Sequence, residues 1–447
     1  MKSILRTGMS AIAAFAVATP ALAAAQAVTA EPVPADVGDA IDAMEMRSAE
    51  VVQPLPEAEP LVQSWTLSDA RQLLEVIEGI DAHGLIPADY NPGELRAAIA
   101  AGEGMMLDEE ASNAFAWLIE DMRDGRTPMA NRRQWFVVDP DADRFPTAQV
   151  MARALASHDI AGALEEIAPT HPDYAALKRE LARKPEAGRR ALIQANMDRW
   201  RWLQRDLGAQ YLITNVPEYQ LRLTVNDTII ETYRTVVGKP GRTATPQLAE
   251  SVEGVIFNPT WTVPQSIVKG EGLGAKVLNN PAWARRAGYT ATRGANGYVS
   301  VVQQPGPSNA LGLMKLDMPN AHAIFLHDTP SRNLFSNANR ALSHGCIRTE
   351  RATELAITLA ILQADMEPER AVEIQKSGEY TRVRFEREMP VYITYFTMGT
   401  NIDGQMSTYR DIYERDAPVL ASFREDRVRE RARVTDEEVI AIENGEL

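Results

Sequence analysis

The chain has 447 residues, of which 24% are charged, and a formal net charge of −15 at pH 7. This length is sufficient for two or three domains, each with its own hydrophobic core. The acidic balance gives no support for nucleic-acid binding, which depends on basic surfaces.

The first 27 residues have the features of a secretory signal peptide. Lys2 and Arg6 precede the apolar stretch MSAIAAFAVATPALA, and small residues follow it. The stretch is too short and too rich in alanine for a membrane-spanning helix, and no later segment offers about 18 apolar residues in a row. We therefore expect export to a bacterial periplasm. Residues 28–64 are rich in Pro, Ala and acidic residues without a sustained period, which predicts a disordered lead segment.

Residues 65–195 are predicted to form a helical domain. Apolar residues spaced i, i+3, i+4 and i+7 mark one face of a helix at Phe115, Leu118, Ile119 and Met122. His83, directly before Gly84, is interpreted as a helix-end residue.

Residues 196–420 are predicted to form a β-rich domain, so the fold class is α+β. YQLRLTVNDTIIETYRTVVG alternates apolar and polar residues on both sides of Asn226-Asp227, which predicts a β-hairpin. VEGVIFNPTWTV and HAIFLHD are further strand candidates, and two late strands are expected about Asp403-Gly404.

Two segments interrupt or follow this β-rich pattern. Residues from about 267 to 320 contain Trp283, Tyr289 and Tyr298 among glycines, asparagines and prolines, and are interpreted as an insertion that acts as a lid. Residues 421–447 are a charged tail, which predicts a solvated helix or a disordered segment.

Cys346, the one cysteine of the chain, lies in LSHGCIRTE near three of the six histidines, which are His322, His327 and His344. A lone thiol in an exported protein is either a buried small residue or a reactive group. A zinc site built from Cys346, His344 and His327 is a third possibility. Against zinc, structural sites usually pair cysteines two to four residues apart, and the chain has no HExxH helix.

A cysteine nucleophile needs a neighbouring base or a positive field, because a free thiol is only slightly ionised at neutral pH. His327 follows the apolar strand candidate AIFL, which could hold an imidazole rigidly. Gly345 permits backbone geometry that a Cβ would forbid, so nearby N–H groups can point at one oxygen. TERATELAITLAILQ, after Cys346, is predicted to be a helix whose N-terminal end favours a thiolate.

The order His327, fifteen residues, then Ser343-His344-Gly345-Cys346 resembles the active-site signature of L,D-transpeptidases of the YkuD fold. NPTWTVPQSI, GPSNALG, FLHDTPSRNLF and DIYERD resemble the large periplasmic, YcbB-like branch, as do NMDRWRWL and HGLIPADY in or beside the helical half. The resemblance covers roughly residues 65–420 and implies a helical scaffold domain before the catalytic domain. One departure is that the segment between the scaffold and NMDRWRWL leaves no room for the peptidoglycan-binding module that usually lies there in this branch.

The resemblance implies a reaction on peptidoglycan stem peptides. Cys346 would attack the carbonyl between diaminopimelate and the terminal D-Ala of a donor tetrapeptide, and a diaminopimelate amine of an acceptor stem would resolve the thioester into a 3-3 cross-link. His327 would act as the base. Main-chain N–H groups of His344, Gly345 and Cys346 would hold the oxyanion, and His344 would mainly shape the loop.

Five further residues are expected at the substrate: Ser343, Arg348, Arg332, Trp261 and Asn309. For the two arginines, an ion pair that fixes the loop is an equal alternative to a contact with a stem-peptide carboxylate. We expect a monomer without metal or organic cofactor, a target of carbapenems, with peptidoglycan stem peptides and other wall synthases as partners.

Two other outcomes stay open. One is attachment of an outer-membrane protein to peptidoglycan, or hydrolysis of that link. The other is a non-catalytic scaffold that binds the wall.

Overall fold

The computed structural model describes residues 62–270, 272–295, 297–429 and 432–438. The predicted signal peptide and most of the lead segment lie outside the described residues, as does the end of the tail. No described helix is both long and apolar enough to cross a membrane.

The N-terminal part of the described chain is helical, as predicted. Its helices are α1 (Leu67–Gly79), α2 (Pro92–Ala101), α3 (Met105–Asp124), α4 (Asp141–Arg144), α5 (Thr147–Ser157), α6 (Ile160–Ile167), α7 (Pro172–Ala182) and α8 (Ala187–Trp200), with 3-10 turns at Ile80–His83, Pro87–Tyr90 and Met129–Asn131. The Thr66 hydroxyl accepts from the Asp69 N–H at 3.1 Å and begins α1. Gly84, with a φ of 75°, ends the turn that closes at His83, which confirms the helix-end interpretation.

One apolar core holds α1, α2, α3, α5 and α6 together, whereas α7 and α8 pack in a second core with residues of the β-rich part. The predicted face of α3 is fully buried in the first core, because Phe115, Leu118 and Ile119 are 0% exposed. Leu73 and Ile77 of α1 pack into the same core. Burying side chains of this size stabilises the fold by roughly 1.5–3 kcal/mol each.

The second part contains most of the strands. They are β1 (Gln210–Asn215), β2 (Gln220–Val225), β3 (Thr228–Gly238), β4 (Leu248–Phe257), β5 (Trp261–Thr262), β6 (Tyr289–Arg293), β7 (Val299–Gln303), β8 (Met314–Asp317), β9 (Leu326–His327), β10 (Ala341–Ser343), β11 (Ile347–Thr349), β12 (Thr381–Thr394), β13 (Met398–Thr400) and β14 (Met406–Thr408). The remaining helices are α9 (Gln265–Gly270), α10 (Leu273–Asn279), α11 (Pro281–Arg286), α12 (Ala352–Ala364), α13 (Pro368–Ser377) and α14 (Asp416–Ser422), with a 3-10 turn at Arg332–Ser336.

Within the described residues, nine strands form one sheet in the order β10-β3-β11-β9-β8-β4-β12-β1-β2. β3 also pairs with β2, so the sheet curls back on itself. The predicted hairpin is present between β2 and β3, where Asn226 and Asp227 adopt φ values of 46° and 56°. Helix α12 packs against β4, β8 and β12 over the apolar core of the sheet.

Helix α8 joins the helical and β-rich parts. The predicted boundary at residue 195 falls inside this helix, which runs on to Trp200. Asp198, fully buried, accepts from the main-chain N–H groups of Arg126 and Thr127 at 2.7 and 3.0 Å. Trp200 stacks on Phe396 of the β-rich part at 4.4 Å between ring centroids. The two parts therefore share a packed interface.

The insertion is smaller than predicted. Strands β5, β7 and β6 form a separate three-stranded sheet, which helices α9 to α11 accompany with a small core of their own. β8 already belongs to the nine-stranded sheet, because it pairs with β4 and β9. The separate unit thus extends from Trp261 to Gln303, rather than over residues 267–320.

The tail was expected to be a solvated helix or a disordered segment, but its described part packs on the helical domain. Arg427 pairs with Asp121 at 3.0 Å, and their side chains are 4% and 0% exposed. Farther on, Arg433 pairs with Asp143 at 2.9 Å. A buried carboxylate such as that of Asp121 is costly without a cation beside it, so these arginines fix the tail in place.

Candidate active site

Two short parallel strands set the position of Cys346 and His327. In the pairing of β11 with β9, Ile347 is opposite Leu326 and Arg348 is opposite His327. Ile347 and Leu326 point into the apolar core of the sheet. Side chains alternate along a strand, so His327, Arg348 and Cys346, which precedes Ile347, lie on the other face.

His327 is buried, and its tautomer is set by the main chain of the next residue. Nδ1 donates to the carbonyl of Asp328 at 2.5 Å, which leaves Nε2 as the basic nitrogen of the neutral ring. Burial, followed by the charge of Arg348, lowers the pKa of His327 to about 3, although the carbonyls of Asp328 and Leu311 oppose this shift. The imidazole is therefore neutral at physiological pH.

Cys346 is a partly buried free thiol. Its Sγ lies 3.6 Å from the carbonyl oxygen of Ala323. Burial raises the pKa of the thiol, while the positive charges of Lys315 and Arg348 lower it. At neutral pH a protonated thiol and a neutral imidazole thus lie on the same face of the paired strands.

The predicted contribution of a helix N-terminus to the thiolate is wrong. After Cys346 the chain first forms β11, and helix α12 begins only at Ala352. Helix-dipole effects fade beyond the first turn, so α12 is too far along the chain to favour a thiolate. The positive field at Cys346 comes instead from Lys315 and Arg348.

The turn before Cys346 is held by hydroxyl groups. Ser343 Oγ donates to the carbonyl of Cys346 at 2.6 Å and accepts from the Gly345 N–H at 3.1 Å. Thr245 Oγ1 donates to the carbonyl of Gly345 at 2.7 Å. Gly345 adopts a φ of 122°, which a residue with a Cβ rarely does. The turn is consequently fixed without help from a bound molecule.

His344 occupies a different environment from His327. It is exposed and lines a small pocket together with His322 and Gly345. His322 is buried against the ring of Phe136 at 4.2 Å, and burial lowers its pKa to about 4. Among the described residues, no group of three or more His, Cys, Asp or Glu side chains is arranged to hold a metal ion.

Two parts of the chain match known protein domains. Residues 209–393 match the L,D-transpeptidase catalytic domain of the YkuD type, and residues 63–181 match the scaffold domain. The chain contains an L,D-transpeptidase catalytic domain preceded by a scaffold domain. Both His327 and Cys346 lie within the match to the catalytic domain.

One curated relative is a protein of Haemophilus influenzae named "Putative L,D-transpeptidase". It is 29% identical to the chain over 223 residues, which are 46% of this chain and 45% of the relative. The chain thus matches less than half of the length of that protein.

Solved structures similar to the chain include L,D-transpeptidase 1 of Mycobacterium tuberculosis, which is 11% identical. The match covers 42% of this chain and 61% of that chain, with a TM-score of 0.19. An L,D-transpeptidase of Mycobacterium smegmatis has 12% identity, covers 42% of this chain and 58% of its own, and has a TM-score of 0.20. With TM-scores this low, we base no conclusion on these two structures.

Two of the substrate-binding residues expected in the catalytic domain have structural contacts instead. Asn309 is 0% exposed, and its Nδ2 donates to the carbonyls of Pro259, Gln303 and Gln304. Ser343 is 2% exposed, and its hydroxyl both donates and accepts a hydrogen bond within its own turn. Since neither side chain has free hydrogen-bonding capacity, both hold loops of the catalytic domain.

Arg332 and Trp261 also contact the protein. Arg332 pairs with Asp328 at 2.7 Å, although its side chain is 48% exposed. This contact corresponds to the alternative in which the arginine fixes the loop. Trp261 is half-buried against the small core of the insertion, and its remaining surface leaves it a candidate wall residue.

Arg348 differs from Arg332 because it has no carboxylate partner among the described residues. Its Nε is buried and without a hydrogen-bond partner. Burial lowers the pKa of the guanidinium, and the negative charge that Cys346 carries as a thiolate acts against this lowering. An unpaired, half-buried cation beside the thiol is suited to a carboxylate supplied from outside.

Three residues that support the catalytic domain's site were missed from the sequence. Thr245 holds the Gly345 carbonyl from a loop about 100 residues earlier, and Lys315 lies opposite His327 on β8. Asp328 accepts from the Leu313 N–H at 2.8 Å and lies under Gly312, where an added Cβ would meet it at 2.4 Å. Asp328 follows His327 directly, so its position could have been noticed, whereas the other two contacts depend on distant strands.

Proposed function

We propose that this protein is a peptidoglycan L,D-transpeptidase that forms 3-3 cross-links through a thioester on Cys346. The observation that supports this most is the common face of β9 and β11, which carries His327, Cys346 and Arg348 within a matched L,D-transpeptidase catalytic domain. A thiol, an imidazole and an unpaired cation are the groups that such a transfer requires.

In the first half-reaction, the thiol proton passes to Nε2 of His327 as Sγ attacks the carbonyl between diaminopimelate and the terminal D-Ala. The low pKa of His327 and the raised pKa of Cys346 make a resting thiolate–imidazolium pair unfavourable. Proton transfer therefore accompanies the attack rather than preceding it. The tetrahedral intermediate collapses to the thioester, and D-Ala leaves with the proton from His327.

In the second half-reaction, the side-chain amine of an acceptor diaminopimelate attacks the thioester. The neutral imidazole accepts the proton that the amine loses, and the thiol is regained when the carbon–sulfur bond breaks. A neutral base is available throughout the physiological range, because the pKa of His327 is about 3. The same low pKa weakens His327 as a base, a cost that its fixed position offsets.

The N–H groups of His344 and Cys346 are our candidates for the oxyanion hole. The N–H of Gly345 already donates to Ser343, so this third predicted donor is engaged in the turn. Main-chain donors fixed before the reaction stabilise developing charge without reorganisation. His344 would thus contribute chiefly through its main chain.

Arg348 is proposed to bind a carboxylate of the donor stem. Its guanidinium lies on the face that carries Cys346, and no described carboxylate pairs with it. A planar guanidinium binds a carboxylate through two parallel hydrogen bonds. This contact would place the neighbouring peptide carbonyl near the thiol.

We also propose that the protein is exported and works in the periplasm. The N-terminal sequence with its apolar stretch supports export. Peptidoglycan stem peptides, the proposed substrates, are present in that compartment.

The deciding experiment is mass spectrometry of muropeptides after incubation of the purified protein with tetrapeptide stems. Diaminopimelate–diaminopimelate dimers, with release of D-Ala, are expected from the wild type and not from Cys346→Ala. Tripeptides without dimers would identify a hydrolase, and transfer only to a protein amine would identify an attachment enzyme. Absence of any thioester would favour the non-catalytic scaffold.

A carbapenem provides a second test of the nucleophile. Its strained β-lactam amide should acylate Cys346 once, and ring opening leaves no group to depart, so the adduct persists. The chain has one cysteine, so the intact mass should rise by one drug equivalent in the wild type and stay unchanged in Cys346→Ala. An adduct on Cys346→Ala would place the reactive group elsewhere.

A further inference from the structure

The insertion, residues 261–303, differs in charge from the rest of the chain. It contains five cationic residues and one acidic residue, Glu271, a net charge of +4 in a chain with a net charge of −15. The cations are Lys269, Lys276, Arg285, Arg286 and Arg293. The remainder of the chain therefore carries −19.

All five of these cations are exposed, and none forms an ion pair with a described carboxylate. By contrast, three of the six arginines of the nine-stranded sheet are paired with described carboxylates, as Arg234 is with Glu350 at 2.6 Å. An exposed cation that is already paired contributes little to the field of the protein. Unpaired cations keep their full attraction for an external anion.

The fold of the insertion places four of these cations on its helices, and the fifth, Arg293, ends β6 on the same face of that strand as Tyr289. Lys269 lies at the end of α9, Lys276 on α10, and Arg285 and Arg286 at the end of α11. Helices α9 to α11 contact β6 and β7 through apolar side chains. The opposite face of this sheet presents uncharged residues such as Thr290, as the alternation along β6 requires.

An aromatic pair organises part of this helical side. Trp283 and Tyr289 stack with ring centroids 5.7 Å apart, and the Lys276 ammonium lies 4.1 Å from the centroid of Trp283. Both rings are half-buried in the small core. They hold Lys276 and the end of α11 together, so the positive charges are carried by a packed surface.

The surface of the insertion suits a polyanion better than a lipid bilayer. Binding to a membrane surface depends on exposed apolar side chains as well as positive charge. Among the large apolar side chains described in the insertion, Tyr298 alone is markedly exposed, at 45%. A positively charged surface with few exposed apolar side chains suits a hydrated, carboxylate-bearing polymer.

We propose that the cationic helical surface of the insertion recruits the carboxylate-rich stem peptides of peptidoglycan by long-range attraction. This proposal rests on the proposed function for the identity of the polymer. An acidic protein is repelled on average by an acidic polymer, and the insertion reverses that repulsion locally. The surface would raise the rate of encounter and would leave the chemical steps at Cys346 unchanged.

The test compares two variants that lose the same charge. The insertion variant is Lys269→Gln, Arg285→Gln, Arg286→Gln and Arg293→Gln. The control variant is Lys184→Gln, Lys376→Gln, Arg384→Gln and Arg387→Gln, four exposed cations outside the insertion that form no ion pair with a described carboxylate. Lys276 is left in place because it contacts Trp283.

Both variants are made in the full chain carrying Cys346→Ala, and binding is measured by sedimentation with insoluble peptidoglycan at low and high salt. The unmodified surface should bind less at high salt, because salt screens charge attraction. The insertion variant should bind at least about fivefold more weakly than the control variant at low salt. Amidation of the peptidoglycan carboxylates should remove this difference.

Equal binding by the two variants, or binding indifferent to amidation, would overturn the proposal. Preferential binding to anionic vesicles over peptidoglycan, lost in the insertion variant, would also overturn it and would indicate a membrane partner. The Cys346→Ala background separates this test from catalysis. Charge-dependent binding without cross-linking by the wild type would refute the proposed function and leave the recruitment surface intact.

Discussion

His83 in the scaffold domain and His327 in the catalytic domain are both buried, and burial lowers the pKa of each, to about 4 and about 3. Their surroundings differ. His83 has Tyr174 at 3.1 Å from Nδ1, with Lys178 and Glu165 at 2.6 and 3.1 Å from Nε2. His327 contacts the main chain of its neighbour and shares a strand face with a thiol.

The two histidines show that a lowered pKa does not by itself mark a catalytic group. Burial shifts the pKa of any imidazole in the same direction. At His83, charged and hydroxyl side chains surround the ring on both nitrogens and fix it between helices. At His327 the groups on the same strand face are the thiol of Cys346, which is the proposed nucleophile, and an unpaired arginine, so the neutral imidazole has a proposed role as a base.

The largest effect expected from this comparison concerns the thiol. Cys346→Ser should lower cross-linking by at least about 10³-fold, because a hydroxyl is far harder to deprotonate than a thiol and His327 is a weak base. The rate is measured by muropeptide analysis, with the thermal midpoint as the check on folding. Retention of more than about a tenth of the activity, a barrier change under about 1.4 kcal/mol, would refute the nucleophile.

The second prediction compares the effects of replacing the two histidines. His327→Ala should lower kcat/KM by about 10²-fold or more, the usual size of a general-base contribution. His83→Ala should change the rate per folded molecule by no more than about twofold, since it contacts none of the proposed reacting groups. Equal losses in the two variants would remove the distinction drawn between the sites.

His344→Ala is the companion to this pair. It should reduce the rate less than His327→Ala, because the proposed role of His344 uses its main chain. If the pH dependence of the rate survived in His327→Ala and vanished in His344→Ala, the roles of the two residues would have to be exchanged.

The third prediction concerns the cation beside His327. Arg348→Gln should raise the KM of a donor stem about tenfold, which corresponds to about 1.4 kcal/mol of lost carboxylate binding. Arg348 lowers the pKa of His327, so its removal lets the imidazole take a proton at higher pH. The acid limb of kcat/KM should therefore move to higher pH, an effect that a merely loosened loop would not produce.

The smallest effect expected is on stability at low pH. His83 has a folded pKa of about 4, below its usual value, so the unfolded chain binds more protons between these two pH values. This contribution to stability is complete at neutral pH and is lost as the pH falls towards 4. His83→Gln should show a smaller fall of the thermal midpoint between pH 7 and pH 5 than the wild type does. An equal fall would mean that His83 takes no part in this loss.

Local patterns in the sequence were sufficient for several parts of the fold. The Asn226-Asp227 hairpin follows from turn chemistry, and the buried face of α3 follows from the helical spacing that includes Phe115. The proposed catalytic residues His327 and Cys346 also come from one short stretch of the sequence. Each of these features is decided by residues close together in the chain.

Distant pairing explains what the sequence did not reveal. β1 pairs in parallel with β12, so that Leu212 lies opposite Val391. No local pattern specifies such a partner, and the same is true of Thr245 beneath the Gly345 carbonyl. The contacts of Asn309, which was expected at the substrate, could not be predicted for a related reason. The sequence does not distinguish an exposed amide from one that donates hydrogen bonds to three carbonyls.

The parallel pairing of β9 with β11 limits how the catalytic domain can change through insertion and deletion. Between Asp328 and Arg340 the chain forms a 3-10 turn and loops, so residues can be gained or lost there without moving either paired strand. A single residue added between Cys346 and Ile347 would instead shift the thiol to the apolar side of the sheet. A change in the length of this loop would therefore leave the pairing of β9 with β11 intact, while a change in the two-residue step from Cys346 to Arg348 would reverse the face on which the thiol lies.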